Sequence, residues 1–122
     1  MDPRLARRLQ KEIQRSVPDR DQAIMKAIRS IPKGKVASYG QVAAAAGYPL
    51  YHRLVARLLR NSPLKGLPWQ RVLGAGGEIK LKGEAALEQR LRLEMEGVRF
   101  RGKRVDLAQH QHRFKMWEEW DA

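Results

Sequence analysis

Cysteine is absent from the 122-residue chain. Its absence removes disulfides, thiolate metal sites and any cysteine nucleophile together. No apolar run is long enough to span a bilayer, and no charged-then-apolar leader opens the chain, so a soluble, intracellular protein is expected. Acidic residues are scarce, 13 Asp+Glu against 25 Lys+Arg, leaving a formal net charge of +12. A surplus of that size on so small a surface builds a positive field that favours a polyanion, and nucleic acid is the expected partner. A membrane is not, because the basic residues do not accompany a strongly apolar amphipathic face. What is present is an apolar fraction of 43%, adequate for a modest core, and a length that suits one compact domain.

A conventional catalytic apparatus is missing as well. There is no GxxxxGK[ST] and no glycine fingerprint between a strand and a helix, which leaves nucleotide hydrolysis and dinucleotide binding without support. The histidines are His52, His110 and His112; the last two would share a face in a strand, but no third ligand type is near them. The serines (Ser16, Ser30, Ser38, Ser62) are not close in sequence to a histidine. No metal and no cofactor is expected.

The chain divides into helical segments and short extended pieces, without repeats or low-complexity tracts. "DPRLARRLQKEIQRS" has Asp2 as N-cap, Pro3 at the first helical position and Leu5, Leu9 and Ile13 at intervals of four, an amphipathic helix with a basic outer face. "VPDR" is expected to break it, and "DQAIMKAIRSI" to form a second helix with Ile24, Ala27, Ile28 and Ile31 on one side. In "SYGQVAAAAG", Ser38 and Gln41 match a capping box and Gly47 fits the helix stop. After a turn through Pro49, the helix from about Leu50 to Asn61 carries Leu50, Leu54, Val55, Leu58 and Leu59 on one stripe, with Arg53, Arg57 and Arg60 opposite. Two short helices joined by a Gly/Pro turn are the pattern of a helix-turn-helix. "RVLGAGGEIKL" reads as a hairpin, or wing, around Gly74, Gly76 and Gly77. "EAALEQRLRLEMEG" is a further helix with Leu87, Leu91 and Met95 on one face and Gly97 as its stop, and "VRFRGKRVDL" is a basic extended segment turning at Gly102. Trp117 and Trp120 in the terminal "FKMWEEW" are expected to pack against the body. The fold class is mainly α (α+β), a winged helix-turn-helix with a small β-hairpin wing.

Taken in order, "IPKGKVASYGQVAAAAGYP", Arg53, "NSP", "LPWQRV", a glycine turn and "EMEG" resemble the DNA-binding domain of the O6-alkylguanine-DNA alkyltransferases. The family pattern is approximately IPxGxxxSYxxxAxxxGxPxxxR, then NP, then PCHRV, a glycine-rich turn and a closing EG. The match runs over residues 31–97, roughly half the chain. In that family the Cys of PCHR accepts the alkyl group, with the His acting as base through water and linked to the Glu of EG. Here Trp69 stands in place of the Cys and Gln70 in place of the His, while Glu96 remains as a remnant of the relay. An indole cannot attack an alkyl carbon and an amide cannot accept the proton, so alkyl transfer is excluded and no catalytic residue is assigned. The pattern is that of the alkyltransferase-like proteins, in which the Cys is replaced, often by Trp.

The resemblance implies a non-enzymatic damage-recognition protein that flips O6-alkylguanine out of double-stranded DNA and marks it for nucleotide excision repair. Tyr39 matches the tyrosine that rotates the phosphate, and Arg53 the arginine finger that fills the gap. Arg57 and Arg60 follow on the helix that lies along the minor groove. Pro68, Trp69, Gln70, Arg71 and Val72 would line the pocket for the flipped base, with Gly77 to Leu81 closing its far side. In two places the chain departs from the pattern: the family Asn-Pro is "NSP", which displaces Asn61, and "EIKLKG" lacks the family's Tyr-Ser contact to the base. The implied organisation is a basic helical extension over 1–18, the winged helix-turn-helix domain over 19–100 and a basic C-terminal segment and tail over 101–122. The implied setting is the cytoplasm, with the nucleoid, or another compartment holding DNA; the partners are damaged DNA and nucleotide excision repair proteins, and a monomer is expected. Two alternatives stay open on the residues alone: a winged-helix regulator without lesion specificity, and an enzyme such as a residual transferase or a glycosylase.

Overall fold

A computed structural model describes residues 2–61 and 66–115, with backbone alone for 8–18 and 61. Helix α1 (Pro3–Arg29) starts where Asp2 accepts a hydrogen bond from the Arg4 N–H at 3.0 Å and Pro3 supplies the fixed φ of a first turn. It then runs through 27 residues without the interruption expected at "VPDR". Proline removes one intrahelical hydrogen bond and crowds one carbonyl, but need not end a helix whose flanking turns are otherwise sound. The C-terminal part of α1 is anchored by Ile24, Ile28 and Ile31, all at most 1% exposed. Burial of each such side chain stabilises by roughly 1.5–3 kcal/mol.

Strand β1 (Ala37–Ser38) follows, and Ser38 closes the capping box of α2 (Tyr39–Ala45): its Oγ accepts from the Gln41 N–H at 3.1 Å, while its own N–H donates to Gln41 Oε1 at 2.9 Å. Gly47, at φ +93°, lets the chain leave α2, and α3 (His52–Asn61) crosses back as the second helix of the pair. Leu54 and Val55 of α3 are buried and Leu58 and Leu59 half-buried, as the apolar stripe requires, but Leu50 precedes the helix and is 87% exposed. The Asn61 side chain and residues 62–65, including the rest of "NSP", lie outside the description, as do Trp117 and Trp120.

After a 3-10 turn at Trp69–Arg71, strand β2 (Val72–Leu73) pairs in parallel with β1, Ala37 opposite Val72 and Ser38 opposite Leu73. The expected wing is therefore not a hairpin. Residues 74–78 form a closed loop in which the Gly74 N–H donates to the Glu78 carbonyl at 2.7 Å. Gly77, at φ +84°, passes so close to Val105 that a Cβ would meet its carbonyl oxygen at 2.7 Å. The antiparallel hairpin lies further along, β3 (Phe100–Arg101) with β4 (Arg104–Val105) around Gly102. Helix α5 (Leu107–His110) leads into a bridge from Gln111 to Val36.

The β1–β2 pair separates two apolar clusters. Ala37 and Val72 face one built with α1, α2 and α3; Val36 and Leu73 face another with Leu93, Val98 and Val105. The second receives α4 (Gly83–Met95). Leu87, Leu91 and Met95 are 71%, 59% and 76% exposed, and the buried row is Gln89 and Leu93. The four-residue spacing of the leucines marks a helical face, but burial is decided by Leu93 and by a polar side chain with work to do at the neighbouring loop. His110 is also tied inward: its Nε2 accepts from the Arg99 N–H at 3.0 Å and its Nδ1 lies 2.9 Å from the Gly34 carbonyl. Among the described residues no helix is long and apolar enough to cross a membrane, and no group of three His, Cys, Asp or Glu residues could hold a metal ion.

Candidate nucleic-acid interface

The parallel pair β1–β2 brings the start of α2 beside the "LPWQRV" segment. Where they meet, a cavity of about 380 Å³ opens, lined by Tyr39, Ala56, Leu59, Arg60, Trp69, Val72, Lys80, Leu81 and Gln89. Five residues singled out from the sequence, Tyr39, Arg60, Trp69, Val72 and Leu81, thus come together. Trp69 is held at the rim of the 3-10 turn, its N–H donating to the Leu67 carbonyl at 2.8 Å. The Arg92 guanidinium lies 5.5 Å from the centre of the Trp69 ring, close enough for a cation–π attraction. Tyr39 is partly buried, and burial raises its hydroxyl above the ordinary value against the opposing pull of Arg60. It therefore stays protonated at neutral pH and can donate a hydrogen bond.

The other sequence-singled residues lie elsewhere. Gln70 and Arg71 do not line the cavity: Arg71 Nε meets Glu96 Oε1 at 2.6 Å, Arg71 Nη1 donates to the Ile31 carbonyl at 2.9 Å, and Gln70 Nε2 donates to Glu96 Oε2 at 3.3 Å. The two charged side chains are only 18% and 9% exposed, so their mutual hydrogen bonds offset a real desolvation cost. Glu96 is thus a fastening point between the Trp69 turn, the end of α4 and the segment after α1. Pro68 is half-buried at the edge of the turn without lining the cavity, and Gly77 packs under β4. Arg53 and Arg57 are exposed on the outer side of α3, next to the mouth residue Arg60. Lys80 falls within the stretch Gly77 to Leu81 read as closing the far side, while Ala56, Leu59 and Gln89 were not assigned from sequence. Leu59 flanks an assigned position, whereas Gln89 gave no signal, because nothing local distinguishes a buried glutamine from a solvated one.

The fold and cavity define a small α+β helix-turn-helix domain with a cavity lined by Tyr39 and Trp69 beside its second helix and basic residues around it. Residues 19–98 match the family model described as "6-O-methylguanine DNA methyltransferase, DNA binding domain". The chain belongs to that family. It is 47% identical over 76 residues to a DNA base-flipping protein of Vibrio parahaemolyticus, covering 62% of this chain and 76% of that one. It is 41% identical over 75 residues to alkyltransferase-like protein 1 of Schizosaccharomyces pombe, covering 59% and 69%. Its structure matches that of Schizosaccharomyces pombe Atl1 in complex with damaged DNA containing O6-carboxymethylguanine, with a TM-score of 0.68 at 28% identity, over 79% of this chain and 96% of that chain. The chain holds no cysteine, and so no thiol that could accept an alkyl group.

Proposed function

We propose that this protein recognises O6-alkylguanine in double-stranded DNA by flipping the base into the cavity beside Trp69, and that it does no chemistry on it. The observation that carries this reading is the cavity itself, lined by both Trp69 of "LPWQRV" and Tyr39 in a chain without cysteine. A flat indole and the side chains of Leu59 and Leu81 suit a purine bearing an added alkyl group. Extrusion costs a few kcal/mol of stacking and pairing, less for the weakly paired alkylguanine, and that difference supplies selectivity.

In this reading Tyr39 presses on the phosphate beside the target nucleotide and Arg53 enters the vacated stack, where a planar guanidinium can both stack and hydrogen-bond to the orphaned base. Arg57 and Arg60 hold phosphates along the same helix, and the basic helical stretch before residue 19 adds further backbone contacts; the segment after residue 100 is no appended tail, because Val105 is buried in the second apolar cluster and Gln111 bridges to Val36. The protein acts as a monomer, and the unrepaired lesion passes from it to nucleotide excision repair. The relatives named for base flipping and the neighbour bound to damaged DNA support the DNA-binding part. The test is a titration on paired duplexes differing only in O6-methylguanine against guanine. The lesion duplex should bind at least tenfold tighter, and Arg53→Ala should lower that ratio more than it lowers affinity for the guanine duplex. Equal affinity for the two duplexes would leave a winged-helix module with salt-controlled binding in its place.

A further inference from the structure

The stretch 99–104 holds Arg99, Arg101, Lys103 and Arg104, all exposed, with no acidic residue among them. In the β3–β4 hairpin Phe100 stands opposite Val105 and Arg101 opposite Arg104. Side chains alternate along a strand, so Phe100 and Val105 turn inward to the second apolar cluster and the two arginines share the outer face. Like charges directly opposite each other weaken a ladder, and this one is two residues long on each strand. Internal countercharge is slight. Arg101 Nε lies 3.4 Å from Asp106 Oδ2, and Glu78 of the adjoining loop is paired with Lys80 at 3.3 Å. Among the described residues, none forms an ion pair or a hydrogen bond with the side chain of Arg99, Lys103 or Arg104.

The hairpin is held in place in spite of that repulsion. The Arg90 guanidinium lies 4.3 Å from the centre of the Phe100 ring, and its Nη1 donates to the Gly102 carbonyl at 3.0 Å. On the other side Gly77 packs against Val105, Arg104 bridges to Glu78, and a Cβ at Gly76 would meet Arg104 Nη1 at 3.2 Å. The loop that holds Gly76 and Gly77 continues β2, and β2 pairs with β1, which runs directly into Tyr39. Beyond Glu78 the same loop leads to Lys80 and Leu81 of the cavity lining. One loop thus joins the hairpin to the cavity wall and, through the ladder, to Tyr39. The outer face of the hairpin offers charge and no apolar side chain, which suits a partner bound by charge and not by burial. Duplex DNA, with about one negative charge per 1.7 Å of its axis, meets that requirement; a protein partner, whose interface would centre on apolar anchors, does not. We infer that the β3–β4 hairpin is a second phosphate-binding element, gripping the backbone of the same duplex to one side of the nucleotide that Tyr39 rotates. Its placement rests on the proposed flipping of that nucleotide, whereas the charge argument needs DNA alone.

The experiment measures the affinity of the full chain against salt concentration, on a guanine duplex and on the same duplex with a central O6-methylguanine. Each phosphate contact contributes about 0.9 to the slope of log affinity on log salt, so Arg99→Gln, Lys103→Gln and Arg104→Gln combined should lower that slope by about two to three and weaken binding roughly tenfold at low salt on both duplexes. The preference for the lesion should stay within about twofold of wild type, because phosphate contacts carry no information about the base. A control with Arg29→Gln, Arg113→Gln and Lys115→Gln removes the same charge from exposed positions outside the hairpin and should leave most of the slope. An unchanged slope in the hairpin variant, or an equal loss in the control, overturns the inference. Arg99→Lys, Lys103→Arg and Arg104→Lys combined should keep the wild-type slope; a loss there as large as with Gln would make the hairpin a packing element and overturn it too. Placement is read by moving the lesion close to one end of the duplex and then to the other. The contribution of the hairpin should vanish at one end and survive at the other, and its survival or loss at both contradicts the placement. Equal wild-type affinity for the two duplexes would remove the flipping reading, and the placement with it, while the slopes on the guanine duplex still decide whether the hairpin holds phosphates. A lesion preference that stands beside an unchanged slope removes the hairpin alone.

Discussion

Within the four residues Trp69–Val72, two side chains face forward and two face back. Trp69 and Val72 line the cavity, while Gln70 and Arg71 reach behind to Glu96. The front is open, apolar and shaped to receive something; the back is an ion pair with its hydrogen bonds made inside the protein. The two positions at which the chain departs from the resembled PCHR pattern fall one on each face. Trp69 offers the cavity a surface, whereas Gln70 is a donor that joins the Glu96 fastening.

If the two faces are separable, variants should sort accordingly. Glu96→Ala should have the largest effect. It strands Arg71 in a site where it is only 18% exposed, and stability should drop by about 3 kcal/mol, read from urea unfolding. The preference for O6-methylguanine, measured where the variant is folded, should stay within about twofold of wild type; its collapse would mean that front and back are one unit. Trp69→Ala should reverse the pattern. Base–aromatic stacking is worth about 1–3 kcal/mol, so lesion preference should fall roughly tenfold while stability falls less than in Glu96→Ala. An unchanged preference would demote Trp69 to packing. The smallest effect serves as a control remote from both faces. Burial, and then Lys35, lower the pKa of His112 below its ordinary 6.5, where its ring meets Phe114 edge-on at 4.5 Å. A His held neutral contributes stability that is complete above 6.5 and fades as the pH falls through the folded value. Comparing wild type with His112→Gln at about pH 7.5 and 5.5 should show the stability difference shrinking slightly at the lower pH, and a constant difference would contradict the sign.

What could be read from the sequence was what is decided locally. The Ser38–Gln41 capping box, the stops at Gly47 and Gly97 and the inward row Ile24, Ala27, Ile28 and Ile31 all follow from residues within a turn or two of each other. The resemblance added Trp69 and Tyr39 as neighbours, which no local rule supplies. What failed depended on partners far along the chain. Val72 and Leu73 form a strand against Ala37 and Ser38 rather than with the residues after Gly77, because the clusters on either side of that pair need both faces filled. On α4 the buried positions are Leu93 and Gln89, which no local pattern marked, and Gln89 donates to the loop carbonyls of Gln70 and Val72. The continuous α1 shows a single proline outweighed by the helix on both sides of it.

The two-residue ladder between β1 and β2 has a mechanical meaning. Ser38 precedes Tyr39 directly, and Val72 closes the turn that begins at Trp69, so the ladder ties the tyrosine and the indole to one short bar of backbone. The spacing of their backbones is set by those main-chain bonds. In the proposed reading they act as the fixed jaws of a gauge, and the strand that enters between them must do the bending.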